Sequence, residues 1–251
     1  MGALKHKPNG LILWEGASSI DEAPIVVIAT GFATDSLNAK TGAQIQTWIL
    51  RADVAPNEAV RTGDDKSVCG LCPHRPLTAP AVGAPRCYVL TWRAPRKIWE
   101  AYKAGRYKRG NPLFLPGRIG EHDWRFGSYG DPAAAPFSLW DTIALQARSV
   151  TGYTHQWRDC DPAFASICMA SVGDELEMLE AMSRGWRTFR VAKPGSAPTP
   201  AEAHCQASAE LGAKVQCADC RACGGTSSKA RCGIMIWDHS SAGRAQRLRL
   251  A

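Results

Sequence analysis

Apolar residues along this chain fall in short runs separated by polar stretches rich in glycine and proline. Ile25-Val-Val-Ile-Ala-Thr30 is β-branched and of buried-strand length, and Gln46-Thr-Trp-Ile-Leu50 predicts a second strand. Residues 1–20 carry no sustained period and read as a ragged start. Residues 51–84 are rich in Pro, Asp and Gly and need a staple to be ordered. Cys87-Tyr-Val-Leu-Thr-Trp92 predicts a strand. Arg96 to Tyr107 predicts a helix that buries Ile98, Trp99 and Tyr102 and turns Arg96, Lys97, Lys103 and Arg106 outward.

From residue 118 the rhythm becomes regular. Strands are expected at Trp124–Ser128, Val150–Thr154, Ile167–Val172, Trp186–Val191 and Gly233–Asp238, with a helix from about Pro136 to Arg148. A second helix follows Gly173, with Asp174 as its cap, Leu176, Leu179 and Met182 on one face, and Gly185 as its terminator. Strands alternating with helices indicate parallel β-α units. The expected fold is α/β, an irregular or partial β/α (TIM-like) barrel with cysteine-rich metal-binding loops. It is expected as a single domain over 1–251, with 51–88 a cysteine-containing loop insert and 203–232 a cysteine-rich metal-binding segment. No G-x-G-x-x-G marks a dinucleotide site. Lys40-Thr41 lacks the glycine spacing of a phosphate loop, which leaves a turn or a basic loop that touches substrate.

Composition narrows the setting. At 251 residues and 45% hydrophobic, the chain can bury its own core. A formal charge of +7 and a pI of about 9.0 suit a polyanionic partner, nucleic acid or nucleotide, as well as they suit a solvated basic surface. Arg106-Tyr-Lys-Arg-Gly110 is the densest basic patch. The amino terminus lacks an apolar core of signal-peptide length and no run approaches a membrane span, so a cytoplasmic location without membrane contact is expected. In a reducing cytosol, ten cysteines are better read as ligands than as disulfides.

The cysteines carry the clearest chemistry. Cys217-x-x-Cys220-x-x-Cys223, with Cys205 upstream, is a four-thiolate set, and Gly224-Gly225 gives the backbone room to turn around it. Consecutive two-residue gaps favour an iron–sulfur cluster over zinc, although the proline that follows the last ferredoxin cysteine is absent. Cys69, Cys72 and Cys87 form a second set, with His74 or Cys168 as a fourth ligand. Cys160 and Cys232 have no partner at informative spacing and read as packing residues.

In a β/α barrel, functional groups gather at the carboxyl ends of strands. Those ends supply Asp131; His155, Gln156 and Trp157; Ser171; Arg190; Ser208 and Glu210; and Asp238-His239. Asp131 and His155 are the candidates for proton transfer and Arg190 for anion binding. Each has an ordinary reading too: Asp131-Pro132 as a helix-entry turn, His155 as a satisfied core histidine. Of the nine tryptophans, Trp92, Trp157 and Trp237 are placed to stack on a base, although core packing explains each taken singly.

Several of these segments occur together in order: Ser36-Leu-Asn-Ala-Lys-Thr-Gly42, Cys69-Gly-Leu-Cys72-Pro-His, Cys87-Tyr88, Gly127-Ser-Tyr-Gly-Asp-Pro132, Tyr153-Thr-His-Gln-Trp157 and Cys217-Ala-Asp-Cys-Arg-Ala-Cys-Gly-Gly225. As a set they resemble a family of bacteriophage and prophage proteins without an assigned activity, from about Leu11 to His239. The resemblance implies phage origin and a role in the infected host cell. The cysteine pair followed by Cys-Tyr is more distantly similar to radical-SAM-like barrel proteins of phages. The chain departs from them in having no C-x-x-x-C-x-x-C triad.

The leading expectation is a phage-encoded metal-cluster protein, iron–sulfur ahead of zinc, acting as an enzyme or former enzyme on nucleic acid or nucleotides. The alternatives are a non-catalytic, zinc-stabilised protein that binds nucleic acid or a host protein, and an electron-transfer partner.

Overall fold

A computed structural model describes residues 9–36, 38–77, 87–115, 121–208, 212 and 215–238. The β-branched and aromatic runs form two sheets. The first takes β1 (Gly10–Ala17), β2 (Pro24–Thr30), β3 (Ile45–Arg51), β4 (Lys108–Arg109), β5 (Asp123–Tyr129) and β6 (Ser149–Thr151), in the order β4-β1-β2-β3-β5-β6. The second takes β7 (Tyr153–Thr154), β8 (Met169–Val172), β9 (Thr188–Ala192), β10 (Glu202–His204) and β11 (Gly233–Trp237), in the order β10-β11-β9-β8-β7. Six helices accompany them among the described residues: α1 (Pro56–Thr62), α2 (Lys66–Cys69), α3 (Ala94–Lys103), α4 (Phe137–Ala144), α5 (Glu175–Ser183) and α6 (Cys217–Cys220).

The fold is mixed α/β. Every pairing from β3 through β5 and β6, and from β7 through β8, β9 and β11 to β10, is parallel. Only Gly152 separates β6 from β7, so one short segment serves both sheets. A Cβ there would come within 2.6 Å of Cys168 Sγ, which is why the position has no side chain. Among the described residues no pairing joins β4 to β10, and the sheets do not close into a barrel.

The amino-terminal part departs from the expected β-α rhythm. β1, β2 and β3 form an antiparallel meander, and Leu11, Ile12 and Leu13 are buried where a ragged start was expected. Residues 87–92 are loop and turn, not a strand. Their apolar residues are spent unevenly, since Tyr88, Leu90 and Trp92 are exposed. The 51–88 insert is partly helical, through α1 and α2.

The regular half follows its pattern closely. β5 sends Trp124 and Phe126 into the core, where Phe126 packs on Trp140 of α4 with ring centroids 4.8 Å apart. Burying Ile143 on the same helix contributes about 1.5–3 kcal/mol. α4 ends at Ala144, four residues before the expected Arg148, and Leu145 beyond it is exposed. In α5 the Asp174 side chain accepts from Glu177 N–H as the cap requires. Leu176, Leu179 and Met182 share their face, but that face is exposed, and Met178 and Ala181 supply the buried contacts.

Candidate functional site

Strand alternation sends β5's other residues, Arg125, Gly127 and Tyr129, to the opposite side from Trp124 and Phe126. There they line a cavity of about 430 Å³. Gln46 and Trp48 of β3, Thr151 and Tyr153 across the β6–β7 junction, Ser171 of β8, and Phe189 and Val191 of β9 complete its walls. Both sheets therefore contribute to one site.

Seven cysteines line this cavity: Cys69, Cys72, Cys87, Cys205, Cys217, Cys220 and Cys223. They are the seven singled out by spacing. Cys160, Cys168 and Cys232 are not among its walls, which leaves His74, a cavity residue, as the closer companion of the first set. Cys69 closes α2, and Cys87 N–H donates to His74 O at 3.0 Å. Cys205 follows β10, while Cys217 and Cys220 bound α6.

The carboxyl-side cysteine segment is held mostly through its backbone. Cys217 N–H donates to Lys40 O at 2.9 Å, Ala218 N–H to Thr41 O at 3.2 Å, and Gly152 N–H to Cys223 O at 3.1 Å. Arg221 Nε lies 3.2 Å from buried Asp123 Oδ1. Gly225 has φ +62°, and a Cβ there would meet Ala165 O at 2.6 Å.

Burial pushes the Cys223 thiol up to about 12, and Cys205, Cys217 and Cys220 are close enough to add to the shift, while a hydrogen bond with Tyr153 opposes it. Burial also raises Cys217, against the opposing charges of Arg125 and Lys40. In the first set burial lifts Cys72 to about 12 and raises Cys69 and Cys87. Such thiols are neutral near pH 7 unless a cation replaces their protons. Their donor chemistry suits a thiophilic metal. Among the described residues, however, no three His, Cys, Asp or Glu side chains stand close enough together to hold one.

Beside the first set, His74 and His155 meet edge to face with centroids 5.5 Å apart. Burial, followed by the neighbouring His74, lowers His155 to about 3, so its imidazole is neutral at ordinary pH. Asp131 Oδ2 accepts from His155 N–H at 2.8 Å and Gln156 Nε2 at 3.4 Å, and Oδ1 accepts from Ala133 N–H at 3.0 Å. The carboxylate thus caps the 3-10 turn Pro132–Ala134 and fixes the backbone that carries His155. Burial raises its pKa against those donors. Gln156 ties this corner to the cysteines, since its Oε1 accepts from Leu71 N–H and its Nε2 donates to Cys69 O.

Arg190 stands apart. Phe189 and Val191 take the cavity side of β9, so Arg190 faces the other way, where Nε and Nη2 grip buried Glu202 at 2.8 and 2.7 Å. Ser171 and Asp238 line the cavity; Gln156, Trp157 and Ser208 are buried outside it, and Glu210 and His239 lie outside the described residues. Trp157 is covered by Arg158, whose guanidinium sits 3.9 Å from the ring centroid, and Trp237 Nε1 donates to Ser196 O. Trp92 is exposed outside the cavity.

Arg125 was not anticipated. Its Nη2 donates to Tyr88 Oη at 3.0 Å, and its guanidinium lies 5.7 Å from the Tyr153 ring centroid. The signal lay in the alternation: an arginine between Trp124 and Phe126 in a strand must face away from their core. Lys40, Arg93 and Arg221 line the same cavity, so the basic loop at Lys40 does reach it.

Comparison with protein-family models, curated proteins and solved structures gave no match to the chain. Among the described residues no helix is long and apolar enough to cross a membrane.

Proposed function

We propose that the cavity is the active site of a metal-cluster enzyme, iron–sulfur ahead of zinc, acting on a nucleotide-sized anionic substrate on an open, barrel-like β/α scaffold. One observation carries the reading: the seven cysteines selected by spacing all line one cavity, and the other three do not. In this reading Cys205, Cys217, Cys220 and Cys223 would hold the cluster, and Cys69, Cys72 and Cys87 with His74 a second metal, each set drawing in around its metal from the wider spacing it has in the cavity. A bound cluster would supply electron transfer at the cavity wall. On the resemblance to bacteriophage proteins, we read this activity as belonging to the infected host cell.

The chain's own residues do the rest. Tyr153 and Phe189, with ring centroids 4.3 Å apart, give the cavity an aromatic wall for a bound ring to pack on. His155, neutral at ordinary pH, presents an unprotonated imidazole nitrogen as a hydrogen-bond acceptor to a substrate donor. Asp131 is a positioning residue, since its oxygens are engaged by N–H donors and it acts through the His155 backbone.

The test is metal content, acid-labile sulfide and the visible spectrum of protein purified without oxygen. Iron with sulfide and broad visible absorbance is the expected result. Protein that retains no metal overturns the reading. Stoichiometric zinc without absorbance supports a second reading, a structural site. That alternative is favoured by the backbone bonds through which residues 217–223 fasten the Lys40 loop to the β6–β7 junction. A metal there would staple a segment with few buried apolar residues of its own.

A further inference from the structure

We infer that Arg125 is the anchor of a phosphate subsite in the cavity, built for a phosphate monoester carrying a planar ring, such as a nucleoside monophosphate. The inference rests on the cavity being the functional site proposed above, and it names the substrate group that site recognises.

A guanidinium has five N–H donors and takes little part in packing without acceptors for them. The other inward-facing arginines satisfy theirs. Arg75 grips Asp65, Arg190 grips Glu202, and Arg187 donates to the carbonyls of Cys232, Ala222 and Gly225. Arg125 has no carboxylate within ion-pair distance among the described residues, and its hydrogen bond goes to a single phenol oxygen, that of Tyr88. Its side chain lines the cavity, with Cys217 and Cys223 close by.

The surroundings favour phosphate over a lone carboxylate. Lys40 and Arg93 line the same cavity and likewise make no ion pair among the described residues. Of the two carboxylates on the walls, Asp131 is engaged by backbone and amide N–H groups, and Asp238 directly follows β11. Arg125 and Lys40, both close enough to Cys217 to act on its thiol, put two cations without an ion pair at one wall, which suits the charge of a dianionic phosphate better than that of a monoanion. The exposed Tyr88 ring, whose oxygen accepts from the guanidinium, offers a face on which a base can stack, and the 430 Å³ volume is of the size that takes a small organic ligand.

The experiment is equilibrium binding of AMP, UMP, adenosine and uridine to the full chain as purified, with inorganic phosphate as competitor, for the parent and Arg125→Gln. The expected result is that a monophosphate binds at least tenfold more tightly than its nucleoside and that inorganic phosphate competes. In Arg125→Gln the discrimination collapses to within about twofold while nucleoside affinity holds. Equal affinity for nucleotide and nucleoside, unchanged discrimination in the variant, or no binding of either monophosphate overturns the inference. If the glutamine variant melts differently from the parent, Arg125→Lys carries the test: it keeps a cation in β5 but loses the fork, and a severalfold loss of discrimination is expected. Unchanged discrimination in that variant overturns the inference. Metal measured on the same preparation separates the two claims. Metal without phosphate discrimination defeats this inference and leaves the proposed function; discrimination without metal does the reverse. A visible spectrum that shifts in Arg125→Gln while discrimination stays constant overturns it, assigning the cation to the thiols.

Discussion

The buried pair of Arg190 and Glu202 shows how a single residue's surroundings decide its role. Burial pushes the Glu202 carboxyl up, but the two-pronged contact from Arg190 and the Thr199 N–H more than offset this and hold it below the usual range. The pair's contribution is therefore full above the ordinary glutamate value of about 4.3 and is lost as pH falls through the lower folded value. Arg190→Gln leaves a buried carboxylate without its cation and should cost about 3–5 kcal/mol, read as a lower urea midpoint at pH 7. That deficit should shrink as the pH falls toward the parent's lowered folded value, because the variant's Glu202, without its cation, takes up a proton first and the parent's only once that value is passed. Ligand affinity in the cavity should be unchanged, since Arg190 faces away from it. Sequence alone placed Arg190 at a strand end and so among the anion binders. What it lacked was β9's parity, which gives the cavity to Phe189 and Val191. The same parity argument, applied to Trp124-Arg-Phe126, would have found Arg125.

At the scale of elements, the cysteine segment has one demanding position. Gly225 sits at positive φ with Ala165 O where a Cβ would be, so Gly225→Ala must both strain the backbone and move the 165–167 turn. A loss of roughly 1–3 kcal/mol is expected, read as a drop in melting temperature. Cys220→Ser should remove metal from the carboxyl-side set with little effect on fold, because Cys220 is only half-buried, while Cys232→Ser, outside the cavity, should retain the full complement. Elemental analysis of both variants decides it; equal metal in the two removes Cys220 from the ligand set. Strands β5, β8, β9 and β11 were legible because β-branched and aromatic runs there are bounded by glycine, aspartate and a capped helix, whereas the three-residue β10 was not, and the one strand expected over 150–154 is divided by Gly152 into β6 and β7. The antiparallel start was not, because β1 mixes Leu11-Ile-Leu13 with Trp14, Glu15 and Gly16 and shows no clean period. Tyr88-Val-Leu90 misled in the opposite sense: an apolar run was spent lining a cavity and a surface instead of pairing in a sheet.

For the whole molecule, the question is whether a net charge of +7 serves a polymer or a small anion. The densest basic patch argues weakly for a polymer. Lys108 and Arg109 form a two-residue strand at the edge of the first sheet, and Arg109 is paired with Glu15, which cancels part of the charge a phosphate backbone would meet. In the cavity, by contrast, the partly buried Lys40 and Arg125 make no ion pair among the described residues, inside a volume that admits a mononucleotide and not a duplex. Charges on the surface are screened within about 8–10 Å at physiological salt, whereas partly buried ones are screened much less. Raising salt from about 50 to 200 mM should therefore weaken any duplex DNA association by more than about tenfold, through release of its counterions. Nucleoside monophosphate binding should fall by no more than about threefold, and duplex DNA should not displace it. A shared, steep salt dependence with mutual competition would move the anion from the cavity to the surface patch, because only an exposed site loses both ligands together.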